Sequence, residues 1–229
     1  MDSSHLYERL ALAYLFSFCW HWRKVCQVRD IIKAGFVDEF WSIGNGDYAV
    51  SGCYNWLREK RMQMEWYKSI WNTIAPPKHS FMAWLIANQA LRLKDRLFCY
   101  NVASDDLCCI CAFNPETHEH LFQECLYAQQ VLKIVLCRLG THLQGCDILK
   151  QIARRRWTSG RKHVTTTAIL AVWYMIWMQR NSARLTYQVT SPWVLAEQIL
   201  NSVRSRIHVC KSKSFSIRDR LWLSKVHML

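Results

Sequence analysis

Apolar positions recur at helical spacing along most of the chain. Residues 25–34 set Val28, Ile31 and Ile32 on one face and stop at Gly35. Residues 36–50 break this period around Gly44-Asn45-Gly46-Asp47, a turn signal between two short extended pieces, so a small hairpin is expected. Ser51 then opens a helix through Arg61, and residues 65–72 form another, carrying Trp66, Ile70 and Trp71. Pro76-Pro77 starts a helix over 79–90 whose apolar face is Phe81, Trp84, Leu85 and Ala87, a stripe expected in the core. A helix leads to Tyr100, and another runs from residue 126 to Leu139, closed by Gly140. Cys146 or Asp147 opens a helix ending in Arg154-Arg155-Arg156-Trp157. The longest helix covers 163–186, with Ile169–Met178 apolar all round and threonines and arginines closing its ends. Ten residues span about 15 Å, roughly half a bilayer core, so this is a core helix. Ser191-Pro192 caps a helix over 193–209, and the tail ends in an amphipathic piece with Leu221 and Leu223.

Residues 6–20 are apolar enough to pass for a signal sequence. Asp2 and Glu8 cancel a positive leader, and His21-Trp22-Arg23 offers no small-residue cleavage site. A buried helix is the better reading.

Candidate chemistry sits in residues 108–125. They contain the spacing C-x2-C-x8-H-x4-C on Cys108, Cys111, His120 and Cys125. Three thiolates and one imidazole complete a tetrahedral set for Zn²⁺ and leave no position for water, which makes the site structural. The competing reading is inert buried cysteine. Cys109 and His118 stand as second choices for ligands.

The same stretch carries a resemblance. Glu116-Thr117-His118-Glu119-His120-Leu121-Phe122-Gln123-Glu124-Cys125 resembles the E-T-x-E-H-L-F-x-x-C segment of the zinc-binding domain that follows reverse transcriptase in plant LINE-type (non-LTR) retrotransposons. Ile70-Trp71-Asn72, Pro76-Pro77-Lys78 and Phe81-Met82-Ala83-Trp84-Leu85 are similar to its I-W-N…P-x-K-x-x-F-x-W-L segment. Lys94-Asp95-Arg96-Leu97 resembles its T-x-D-x-L helix start, with Leu93 where a threonine cap is usual. Tyr48–Tyr54 resembles its Y-x-V-x-S-x-Y lead-in, and Trp173–Asn181 its W-x-I-W-x-x-R-N helix. The resemblance spans about residues 22–210. It implies a polyprotein appendage that binds nucleic acid beside a polymerase, with a reverse transcriptase acting in trans as the implied protein partner. Asp105-Asp106 lacks the aromatic of a Y-x-D-D site, and no RNase H region is expected, so the resemblance points to a domesticated or truncated fragment.

Charge sharpens this picture. The formal net charge is +13. Residues 1–125 hold 13 Lys+Arg and 14 Asp+Glu, whereas residues 126–229 hold 17 and 3. Such asymmetry suits a polyanion, and nucleic acid is preferred over an anionic membrane face. Arg154, Arg155, Arg156, Arg161 and Lys162 put five cations in nine residues, more than a helix C-terminus calls for, and Trp157 is placed to stack on an unpaired base. Arg92, Lys94 and Arg96 are a second candidate for phosphate contact. Arg180-Asn181 is read as a structural pair.

No Gly-rich phosphate loop, H-E-x-x-H motif or paired carboxylates appear, so no enzyme activity is expected. The eleven cysteines include Cys19, Cys26, Cys53, Cys99, Cys137, Cys146 and Cys210, scattered without framework spacing, which suits a reducing compartment, nuclear or cytoplasmic. The expected architecture is mainly α, an irregular helical bundle with an embedded zinc-binding loop and one short β-hairpin. Its expected divisions are an N-terminal helical segment 1–35, a zinc-binding domain 36–140 and a basic helical region 141–229. The expected function is a non-catalytic, zinc-stabilised module that binds RNA or single-stranded DNA without sequence preference. The alternatives are a zinc-stabilised protein-interaction module, with the charge serving solubility, and a retroelement remnant without function.

Overall fold

Val164 to Val172 are buried without a break, a pattern that only a helix enclosed on every side can give. In the computed structural model, which describes residues 24, 27, 28, 30, 31, 42, 43, 47, 48, 67–71, 74–143, 145, 147–210 and 215–228, that helix is the axis of the larger of two compact units, Met1–Met62 and Gln63–Leu229. Among the described residues the chain is mainly helical.

In the first unit, Lys24, Gln27, Val28, Asp30 and Ile31 are helical. Val28 and Ile31 are exposed rather than forming an inward face. β1 (Ser42–Ile43) pairs antiparallel with β2 (Asp47–Tyr48), Ser42 opposite Tyr48, as the turn signal between them predicts. The helices expected over 6–20 and 51–61 lie outside the described residues.

The second unit runs α1 (Tyr67–Ile70), α2 (Pro77–Ala87), α3 (Lys94–Cys99), a π-turn (His120–Glu124), α4 (Leu126–Arg138), α5 (Ile148–Arg154), α6 (Ser159–Thr186), α7 (Pro192–Val209) and α8 (Ile217–Lys225). α6 packs against α1, α2, α4, α5, α7, α8 and the π-turn. It starts earlier than its apolar run, because Thr158 caps it by accepting from Arg161 N. Its first half is the most enclosed, so Thr165, Thr166 and Thr167 are buried rather than closing an exposed end. Thr167 resolves its hydroxyl by donating back to His163 O at 2.8 Å, the usual device for a helical threonine. The core joins Leu121, Phe122, Val131, Val135, Ala168, Ile199 and Val203.

Two expectations fail locally. α2 buries His79, Ser80 and Ala83, while Phe81 and Trp84 are exposed and stacked on each other at 5.8 Å. Small residues let α2 approach α6 closely, and the aromatic stripe is turned outward. α5 stops at Arg154, and Arg155 caps it with extended backbone, so the three arginines do not radiate from one helix.

Asp219 locks α8 to the head of α6. Its carboxylate accepts from Ser216 N (3.0 Å) and Ser216 Oγ (2.6 Å) in a capping box, and also from Thr158 Oγ1 and Arg161 N. One carboxylate therefore caps two helices. Gly160 makes room for it: a Cβ there would sit 2.5 Å from the Asp219 carboxyl carbon.

Candidate metal centre

A hairpin carries the first two sulfurs. Leu107 and Pro115 bridge antiparallel, Cys108 N donates to Asn114 O at 2.8 Å, and Glu116 N donates to Asp106 O at 2.7 Å. Between them the chain turns tightly, with Ala112 N donating to Cys108 O at 2.9 Å. Ala112 is left-handed, φ 57°, a conformation that costs an ordinary residue about 1–2 kcal/mol. The amides of Cys111 and Ile110 both point at the Cys108 sulfur.

The π-turn supplies the other two donors. Thr117 Oγ1 accepts from His120 N at 3.0 Å, and Cys125 N donates to His120 O at 2.7 Å. Closing a turn over five residues widens it, which brings His120 and Cys125 to one side where an α-helical turn would point them apart. Cys125 then heads α4, and the amides of Ala128 and Tyr127 point at its sulfur. Partial positive charge at a helix start favours a thiolate there.

These pieces converge. One donor atom from each of Cys108, Cys111, His120 and Cys125 lies within 4.8 Å of the others, and Cys111 Sγ is 3.2 Å from His120 Nε2. Ligands at zinc-like bond lengths of about 2.0–2.3 Å in a tetrahedron stand roughly 3.5–3.8 Å apart, so the donors fit a single cation. Cys108, His120 and Cys125 are buried, and Cys111 is half-buried. His120 Nδ1 is buried and has no hydrogen-bond partner among the described residues, leaving Nε2 as the nitrogen that faces the sulfurs. A hydrogen bond to Cys125, reinforced by burial, pushes the Cys108 thiol far up, and the same bond pulls Cys125 down. A divalent ion reverses this balance by stabilising every thiolate at once.

The spare candidates do not join the group. His118 Nε2 accepts from Leu91 N at 3.2 Å. Cys109 N donates to Glu116 Oε2 at 3.1 Å, and burial together with Glu116 pushes its thiol up to about 11.

Glu116 is the functional residue that ligand spacing does not reveal. It is fully buried and accepts from Lys94 N (3.0 Å), Cys109 N (3.1 Å), Arg180 Nε (2.9 Å) and Arg180 Nη2 (2.5 Å). Burial raises its carboxyl, but Arg180 more than offsets this and holds it below the ordinary carboxylate range. Arg180, itself 2% exposed, also donates to Asn181 Oδ1 at 3.1 Å and lies over the Trp177 ring at 5.2 Å. Glu116 therefore caps α3 where Leu93 has no side chain to do so, pins the sulfur hairpin and ties both to α6. The available signal was a glutamate between the Cys pair and the His, together with an Arg-Asn on an otherwise apolar helix.

The cations named from sequence are placed variously. Lys94 is half-buried and ion-paired with Asp105 at 2.6 Å, while Arg92 and Arg96 are exposed. Arg154, Arg155 and Arg156 are exposed. Lys162 Nζ donates to Ala153 O at 2.7 Å. Trp157 is half-buried, with the Arg161 guanidinium 4.3 Å and the Arg155 guanidinium 5.9 Å from its ring centre, so its aromatic surface is engaged within the chain.

The metal-site geometry coincides with a sequence match. Residues 48–131 match the family model for zinc-binding in reverse transcriptase. The reverse-transcriptase zinc-binding match takes in the sulfur hairpin, the π-turn, α2, α3 and the first turns of α4. Arg180, which holds Glu116, lies beyond it, so the folded unit extends past the matched residues. No curated protein and no solved structure matches the chain.

Proposed function

We propose that Cys108, Cys111, His120 and Cys125 hold Zn²⁺ as a closed structural site, and that the zinc-stabilised body binds nucleic acid through basic surface after residue 125. The convergence of four donors within 4.8 Å supports the metal reading. When bound, the ion would cross-link the hairpin to the head of α4, contributing folding free energy on the order of 10 kcal/mol to that unit. The resemblance to LINE-type elements supports a role beside reverse transcription. A compartment that keeps thiols reduced, nucleus or cytoplasm, is required for the site to load.

One observation carries the nucleic-acid reading. Only three carboxylates follow Cys125, and each is engaged: Asp147 with Lys150, Glu197 with Arg138, and Asp219 in two helix caps. Among the described residues, the exposed Arg154, Arg155 and Arg156 make no ion pair, so their charge is left for a partner. Single-stranded RNA is the preferred ligand, bound through its phosphates with steep salt dependence and little sequence preference. Gel shifts of a mixed-sequence RNA across a salt series test this. Changing Arg154, Arg155 and Arg156 together to Ser should lower the log–log salt slope by about 2, at roughly 0.7 for each phosphate that is no longer neutralised. An absence of binding by the unaltered protein at low salt ends the reading.

A protein-interaction role has its own support. A cleft of about 740 Å³ beside the π-turn has an apolar floor including Phe122, Leu132, Ile148 and Trp173. Lys133 and Lys150 on its rim are balanced by Glu119 and Asp147, so it does not select for phosphate.

A further inference from the structure

We infer that the phosphate-binding face is composite: α8, the last described helix, contributes Arg218 and Lys225 to the surface begun by Arg154, Arg155 and Arg156. The inference rests on the nucleic-acid reading above and assigns that surface its second half. In sequence the two segments are some sixty residues apart.

Three observations join them. Arg155, Trp157, Arg161 and Trp222 form an alternating ladder, with the Arg161 guanidinium 4.3 Å from the Trp157 ring centre and 5.1 Å from that of Trp222. Asp219 clamps α8 against the start of α6 through Thr158 and Arg161 N, so the ladder does not depend on the ring stacking alone. Val226 lies 3.7 Å from where a Cβ on Gly140 would be, seating the end of α8 near the carbonyl that accepts from Arg161 Nη2.

Helical geometry then decides which α8 cations share the face. At 3.6 residues per turn, Arg218 (four before Trp222) and Lys225 (three after) flank it, whereas Arg220 projects from the opposite side. Both flanking residues are exposed. Among the described residues, none of Arg154, Arg155, Arg156, Arg161, Arg218 and Lys225 is ion-paired. Burial, with Arg155 as a close like charge, lowers the proton affinity of Arg161. Positive charge has thus been gathered around a single carboxylate, Asp219, which is taken up by helix caps and forms no ion pair among the described residues, and such a net positive patch suits a polyanion seat. The Trp rings serve as spacers between guanidiniums, so the face contacts phosphates and does not read bases.

Fluorescence anisotropy with a labelled 20-nucleotide RNA, the matching duplex and vesicles containing phosphatidylserine tests the proposal on the full chain. Arg218→Ser with Lys225→Ser should reduce the single-strand salt slope by about 1.4, two phosphates at roughly 0.7 each, and weaken single strand and duplex alike. Arg220→Ser should bind as the unaltered protein does, and thermal melts should coincide for all three. If the Arg218/Lys225 double variant keeps the full slope while the Arg154–Arg156 triple variant loses it, the composite face is wrong and the nucleic-acid reading stands. Equal losses from Arg220→Ser would reduce the effect to net charge and overturn the assignment. If only vesicles are bound, both readings fall.

Discussion

At the scale of single residues, the densest information lies at Glu116. A buried carboxylate with four donors is a junction, and the donor removed decides the damage. Glu116→Ala leaves Arg180 buried and unpaired, so it should destabilise the protein by about 3–5 kcal/mol in urea unfolding. Glu116→Leu with Arg180→Met removes both charges but still strands the amides of Lys94 and Cys109. The double variant should therefore recover only part of the loss, and full recovery would reduce Glu116 to an ion-pair partner. His79 offers a pH test. It is buried against Tyr174 with ring centres 4.5 Å apart, and burial, with Lys78 and Arg206 nearby, lowers its pKa to about 4. The unfolded chain takes up this proton near 6.5 and the folded chain only near 4, so stability should fall as pH drops through that interval. The loss should be on the order of 2–3 kcal/mol, and His79→Gln should flatten it. An unchanged pH slope in that variant would assign the effect elsewhere.

At the scale of elements, legibility followed the kind of signal. The C-terminal helices were readable because their ends carry chemistry: Gly140 at φ 60°, Ser191-Pro192 and the long apolar run are local instructions. The convergence of Cys108, Cys111, His120 and Cys125 was readable because spacing among Cys and His is itself a geometric statement. What brings His120 to Cys125 was not, since a π-turn leaves no compositional mark and is fixed by Thr117 and the surrounding packing. The α2 face was misjudged for the opposite reason. Aromatics normally seek the core, but close approach to α6 favoured Ala83 and Ser80, whose hydroxyl donates to Ile70 O at 2.8 Å. Nor could periodicity reveal that Asp219 caps a helix beginning sixty residues earlier. That joint makes a prediction at this scale. Gly160→Ala should cost about 1–3 kcal/mol by displacing the Asp219 carboxylate, and any nucleic-acid affinity of the proposed face should fall alongside as α8 shifts. A variant as stable as the parent would show that the carboxylate has room to move.

At the scale of the molecule, ligand cluster, ion pair and basic surface form a sequence of dependencies. The sulfur hairpin and π-turn meet at the ligand cluster, Glu116 ties that cluster to α6 through Arg180, and α6 carries at its other end the Thr158–Asp219 joint on which the α8 cations depend. No described helix is long and apolar enough to cross a membrane, in keeping with α6 as an internal axis. Removal of the proposed ion should therefore be felt first around residues 107–126, with amide exchange rising there before α6 and α7 exchange. The basic surface should keep its local structure longest. All of these dependencies start from the ligand cluster and the ion proposed for it. Elemental analysis of protein purified without added metal, set beside the same analysis of Cys125→Ser, decides whether it is there. About one zinc per chain is expected in the parent, with a large loss in the variant. A metal-free parent that melts at the same temperature with and without added zinc would rule the site out.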